Sequence, residues 1–189
     1  MSRLSSDDWL ALVEIARRAI SSAILEKRLP DFPPHPEALS ECRGAFVTLY
    51  REGNLRGCVG QVESPGPLAE VVARSAINAA LYDSRFPPIS GEEVASLEIE
   101  ISVLAALERI LPETIVAGHH GLMVVRGPCR GLLLPQVATE RKWSGQRLLE
   151  ETCIKAGLAR DAWNDSSTLV FGFTAEVFSE KGTRTIREP

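Results

Sequence analysis

No two cysteines in this chain stand at a short spacing. The four fall at positions 42, 58, 129 and 153, without a CxxC. That spacing argues against a disulfide framework and against a zinc site built on cysteine. Histidine is scarce: beside His35 there is only the pair His119-His120, and no third ligand stands at metal spacing, so no metal is expected. No apolar run approaches the roughly 18 residues of a membrane span. The opening MSRLSSDDWLALVEIARR lacks the uncharged apolar core of a signal peptide. These absences point to a cytoplasmic protein with reduced thiols and no membrane partner. Positive charge is not in surplus either: 21 Lys and Arg against 25 Asp and Glu give a net charge of −4. A broad electrostatic grip on nucleic acid is therefore not expected. GxGxxG, P-loop, HExxH and GxSxG are all missing, which removes the main supports for dinucleotide, P-loop nucleotide, zincin and hydrolase-elbow chemistry. No cofactor is expected.

What is present reads as an ordinary globular chain. Its 189 residues, 44% apolar and 24% charged, suit one domain or one domain of two lobes. Trp9, Leu12, Ala16, Ala19 and Ala23 recur at helical spacing, so a first helix is expected from Ser5 or Ser6 to about Arg28, with Ser6 as its cap. The proline-dense LPDFPPHPEAL reads as an extended connection. GAFVTLYREGNLRGCVGQV alternates around Glu52-Gly53-Asn54 and reads as a β-hairpin. A second helix is expected over roughly Leu68 to Tyr82, entered through Pro67. Ser90 and Glu93 read as a capping box for a short helix. In LEIEISVL, Leu97, Ile99, Ile101 and Val103 face one way, while Glu98, Glu100 and Ser102 read as a solvated face. A second hairpin spans Leu122 to Leu134, Ser144 caps a third long helix stopped by Gly157, and TLVFGFTAEVFSE reads as one long strand. Connections this short favour a mainly antiparallel sheet, hence an α+β fold.

The stretch LRGCVG, Leu55 to Gly60, is the least ordinary. A hairpin strand needs neither two glycines nor a thiol beside a guanidinium, and three readings are open. Gly57 and Gly60 bracket Cys58, so a bulge between them would bring Arg56 and Cys58 to one concavity. There Arg56 would hold an anion, or Cys58, with a cation beside it, would serve as nucleophile. Equally, the thiol would simply pack and the glycines would admit another backbone. In DSRFPP, Asp83 and Arg85 stand at the end of the second helix, where an arginine on a rigid turn is a carboxylate or phosphate clamp or a complement to the helix dipole. His120, just before a strand, is the candidate base for a thiol–imidazole pair with Cys58.

Taken together and in order, GAFVTL, LRGCVG, DSRFPP, LEIEISVL, HHGL, GLLLPQVA and KAGL resemble the AMMECR domain family, known in bacteria and archaea as AmmeMemoRadiSam system protein A. The family hallmark is LRGCIG, with Val59 here in place of isoleucine. The resemblance spans about residues 8 to 180. It implies a single two-lobed domain over residues 1–189, an antiparallel sheet flanked by helices, and the hexapeptide lining an inter-lobe cleft. It also implies association with Memo-like and radical SAM proteins. The family's biochemical role is unsettled. The expected function is binding of a small ligand or partner segment by Arg56, Gly57, Gly60, Asp83 and Arg85. The alternatives are a cysteine-dependent enzyme using Cys58 and His120, and an RNA-associated factor.

Overall fold

The computed structural model describes residues 3–28 and 35–180, which divide into two compact units. Residues 29–34, most of the proline-rich connection, lie outside that range. No helix among the described residues is long and apolar enough to cross a membrane.

The first unit runs to Leu104 and takes back the chain from Val177. Its first helix, α1 (Ser6–Ser21), is capped by Ser5 and not Ser6. The Ser5 hydroxyl accepts the Asp8 N–H while the Asp8 carboxylate accepts the Ser5 N–H, a capping box that sets the cap one residue before the expected Ser6. The regular helix also stops short of Arg28: it widens into a π turn over Ser22–Glu26 and ends at Lys27, in the left-handed region at φ 52°. Strands β1 (Ala45–Arg51) and β2 (Asn54–Gln61) form the expected hairpin, turned by Glu52 and Gly53, both at positive φ. Helix α2 (Leu68–Leu81) and β3 (Leu97–Leu104) follow. Val47, Leu49, Ile99 and Ile101 on one sheet face pack with Leu12, Ile20 and Val72 from the helices.

The second unit, Ala105–Glu176 among the described residues, holds β4 (Glu108–Arg109), β5 (Gly121–Arg126), β6 (Cys129–Leu133), α3 (Pro135–Arg141), α4 (Gly145–Lys155) and β7 (Leu169–Phe173). Ser144 caps α4 as expected, accepting the Arg147 N–H, and Gly157 follows it at φ 76°. Leu122, Val124, Leu148, Leu149, Cys153 and Val170 form this unit's core. The second hairpin ends as Pro135 opens a short helix, since proline suits the first helical turn.

The fold is α+β, with two antiparallel four-stranded sheets instead of one. Their orders are β2-β1-β3-β8 and β4-β7-β5-β6, with β8 spanning Ala175–Ser179. The last expected strand is thus two strands, broken at Thr174, and each half joins a different sheet.

Candidate functional site

The hexapeptide lies in β2, at one edge of the first sheet. Its bulge sits earlier than the sequence indicated. Leu49 pairs with Gly57 but Tyr50 pairs with Leu55, so Arg56 is the extra residue, and the register from Gly57 to Gln61 is regular. The bulge therefore re-aims Arg56, and the two glycines serve close packing instead of curvature. A Cβ on Gly57 would fall 2.1 Å from the Ala79 carbonyl oxygen of α2. One on Gly60 would fall 2.4 Å from the Phe46 ring. Gly57 lets a helix approach the sheet, and Gly60 lets an aromatic ring lie across the strand.

Arg56 is held from several sides. Its Nε and Nη2 donate to the Glu93 carboxylate at 3.0 and 3.1 Å, Nη1 to the Pro87 carbonyl at 2.7 Å and Nη2 to that of Pro88 at 3.3 Å. Both partners of this ion pair have side chains only 14% exposed. Glu93 also accepts from Arg51 and from the Ser90 N–H. The Arg56 bond first, then those of Ser90 and Arg51, hold its carboxyl down at about 2 against the opposing effect of burial. Sequence reasoning saw only half of the role of Glu93. Its spacing from Ser90 marked it as a cap, and it does accept the Ser90 N–H, but it also pairs with Arg56 on β2, 37 residues away.

Asp83 and Arg85 close the open edge of β2 at Cys58. Asp83 Oδ2 accepts the Cys58 N–H at 2.8 Å, and Arg85 Nη2 donates to the Cys58 carbonyl at 3.1 Å. Between them they take the place of a neighbouring strand, which protects an otherwise exposed edge. Arg85 also binds Asp83 through Nε at 2.9 Å and Nη2 at 2.6 Å, and its guanidinium lies over the Phe86 ring. Asp83 is buried, and the Arg85 guanidinium first, then the Cys58 and Arg85 N–H groups, hold its carboxyl well below the usual carboxylate range although burial opposes this. The Arg85 side chain remains 56% exposed, and its Nη1 has no partner among the described residues. The Cys58 thiol adds to what stabilises the charged form of Arg85, after the larger effect of Asp83.

The Cys58 thiol is half-buried and accepts a hydrogen bond from the Thr48 hydroxyl at 3.3 Å, directly across the ladder. Thr48 also stands opposite Glu100 on β3. Glu100 and Ser102, read from the sequence as a solvated face, are 9% and 1% exposed. The alternation was right about the face but not about its surroundings, because β3 is an interior strand buried on both sides.

His120 belongs to the second unit, in the loop before β5. Its Nδ1 accepts the Val116 N–H at 3.0 Å, and its ring meets His119 edge-on at 4.7 Å. Burial first, then the charge of His119, lowers its pKa below the ordinary histidine value. A proton on Nδ1 would remove the acceptor that holds Val116. The neutral ring therefore stabilises this loop fully above about pH 6.5, and the contribution is lost as the pH falls through the lowered folded value. The protection of the Val116 amide, its exchange rate measured against the intrinsic rate at each pH, should fall between pH 7 and 5, and His120→Gln should flatten that dependence. An unchanged profile would remove His120 from this role. No group of three or more His, Cys, Asp or Glu among the described residues could hold a metal.

Comparison with known proteins places this geometry. The AMMECR1 family model matches residues 13–178. A protein of Methanothermobacter thermautotrophicus is 44% identical over 189 residues, covering 95% of this chain and 97% of its own. One from Pyrococcus furiosus is 42% identical, covering 94% of this chain and 91% of its own. The crystal structure of the protein PH0010 from Pyrococcus horikoshii superimposes with a TM-score of 0.90 at 40% identity, covering 96% of each chain. The match runs through both compact units, hexapeptide and DSRFPP turn included, and the chain belongs to the AMMECR1 family.

Proposed function

We propose that this protein binds a small anionic ligand, or an anionic side chain of a partner segment, beside Cys58, with Arg85 as the anion clamp. The observation that carries the reading is Arg85 itself. It is aimed by Asp83 and Phe86, more than half exposed, and has Nη1 unpaired among the described residues. A guanidinium fixed in advance loses little freedom when it takes an oxyanion, and with Nε and Nη2 committed to Asp83 and the Cys58 carbonyl, Nη1 is the donor left to carboxylate or phosphate. Arg56, the other arginine expected to anchor charge, is spent on Glu93 and two backbone carbonyls, so it shapes the site and does not meet the ligand. Gly57, Gly60 and Asp83 act likewise, by holding backbone and Arg85 in place.

Acetate, sulfate and phosphate titrations followed by amide chemical shifts test this. Saturable shifts at Cys58 and Arg85, weakened about tenfold in Arg85→Gln, are expected for a charge-assisted contact. Anions that perturb no residue near Cys58 would end the proposal. Memo-like and radical SAM proteins are the partners proposed to share the ligand, and co-purification that survives Cys58→Ser but not Arg85→Glu is the expected pattern.

A second reading, that Cys58 reacts covalently, is favoured by its partial exposure and by the Thr48 hydroxyl at its sulfur. Iodoacetamide should then label Cys58 well before the buried Cys153, whose thiol burial pushes up. If Cys58 resists labelling until the protein unfolds, this reading fails.

A further inference from the structure

Strand β2 lies at a sheet edge, and the pairing register shows which of its backbone groups face outward. Cys58 stands opposite Thr48, and its N–H and carbonyl turn away from β1, to Asp83 and Arg85. The two residues therefore form the kind of antiparallel pair that exchanges no ladder bonds. The register is regular from Gly57 to Gln61, so Gly60, opposite Phe46, repeats the orientation of Cys58. Its N–H and carbonyl point out of the same edge, where neither has a partner among the described residues, and Gly60 is half-buried only. The Arg85 guanidinium borders this open stretch. Its Nε and Nη2 face Asp83, which sits on the Cys58 N–H, and Nη2 also reaches the Cys58 carbonyl. In the planar fork Nη1 then lies on the flank away from Asp83, past the carbonyl, where the strand runs on to Gly60.

We propose that this edge takes the C-terminal end of an extended partner peptide, added antiparallel to β2, with its terminal carboxylate on Nη1 of Arg85. This rests on the anion reading above and names what carries the charge. The penultimate residue of the peptide faces Gly60 and exchanges two main-chain hydrogen bonds with it. Beyond that point Asp83 and Arg85 already fill the edge at Cys58, so a strand running on would lose its pairing there. A chain that ends there meets a cation instead. The antiparallel direction brings the carboxyl end of the peptide, not its amino end, to Arg85, so the charges match. Main-chain bonds give the affinity, and the edge selects a chain end ahead of a side-chain sequence.

The test titrates the full chain with acetyl-Thr-Val-Thr-Val as the free acid, with the same peptide as its C-terminal amide, and with acetate, followed by amide shifts and hydrogen exchange. The free acid should bind about tenfold or more tightly than acetate, the worth of two added hydrogen bonds. It should also protect the Gly60 amide from exchange, which acetate should not. Amidation of the terminus, or N-methylation of the penultimate residue, should each weaken the peptide about tenfold. Acetate that binds beside Cys58 while the peptide acid binds no more tightly, or leaves Gly60 unprotected, overturns the added strand and leaves the anion reading standing. An amide that binds as well as the acid also overturns the inference. Absence of saturable shifts with acetate and with both peptides overturns the two together.

Discussion

Replacing Arg56 by Met should lower the free energy of unfolding by about 2–3 kcal/mol, the usual worth of hydrogen bonds to charged groups in a half-buried pair. Glu93 would keep the Ser90 N–H and the more exposed Arg51 but lose both bonds from β2. The carbonyls of Pro87 and Pro88 would lose their donors as well. A second effect identifies the mechanism. Both Glu93 and Asp83 have folded-state pKa values depressed below the unfolded value near 4. Their stabilisation is therefore fully present above about pH 5 and is lost as the pH falls toward 2. Urea denaturation at several pH values should show this loss in the unaltered protein. In Arg56→Met the Glu93 part of it should be diminished. If Arg56→Met unfolds at the same urea concentration as the unaltered chain, the ion pair contributes nothing and Arg56 returns as a free ligand group.

Gly57→Ala is expected to have the other large effect. The added methyl would meet the Ala79 carbonyl at 2.1 Å, and that oxygen belongs to the backbone of α2, so it cannot swing aside. Relief requires moving the helix from the sheet across a core that includes Leu49 and Val72, both fully buried. Overpacking against backbone of this kind costs about 3 kcal/mol or more. Gly53→Ala, in the hairpin turn with nothing within reach of a Cβ, strains only the backbone at φ 79° and should cost about 1 kcal/mol. The contrast between these two alanine variants, read in one urea series, separates a packing glycine from a turn glycine. Similar losses for both would refute the packing role.

Much of the fold was legible because local pattern and tertiary outcome agree. The hairpin turn at Glu52-Gly53, the α2 entry through Pro67 and the Ser144 cap each express chemistry contained within a few residues. Reading failed where the decisive partner lay far along the chain. Nothing near Thr174 signals that the chain passes from one sheet to another, since both halves carry strand-like residues. The alternation of LEIEISVL shows two faces but cannot tell whether the second meets water, and Glu100 proved buried. At the site, the hexapeptide marked itself by its unusual composition, and DSRFPP by its rigid turn. Which arginine faces outward was not visible, because it depends on Glu93 reaching back to β2 and on a bulge placed at Arg56 instead of between the glycines.

The division of labour between the two arginines is what everything functional here depends on. Acetate titrations of Arg56→Gln and Arg85→Gln, run side by side below the unfolding temperature of the weaker variant, test it most directly. Affinity should stay within about twofold of the unaltered protein when Arg56 is changed and drop about tenfold when Arg85 is changed. Equal losses in the two variants, or a larger loss at position 56, would contradict it.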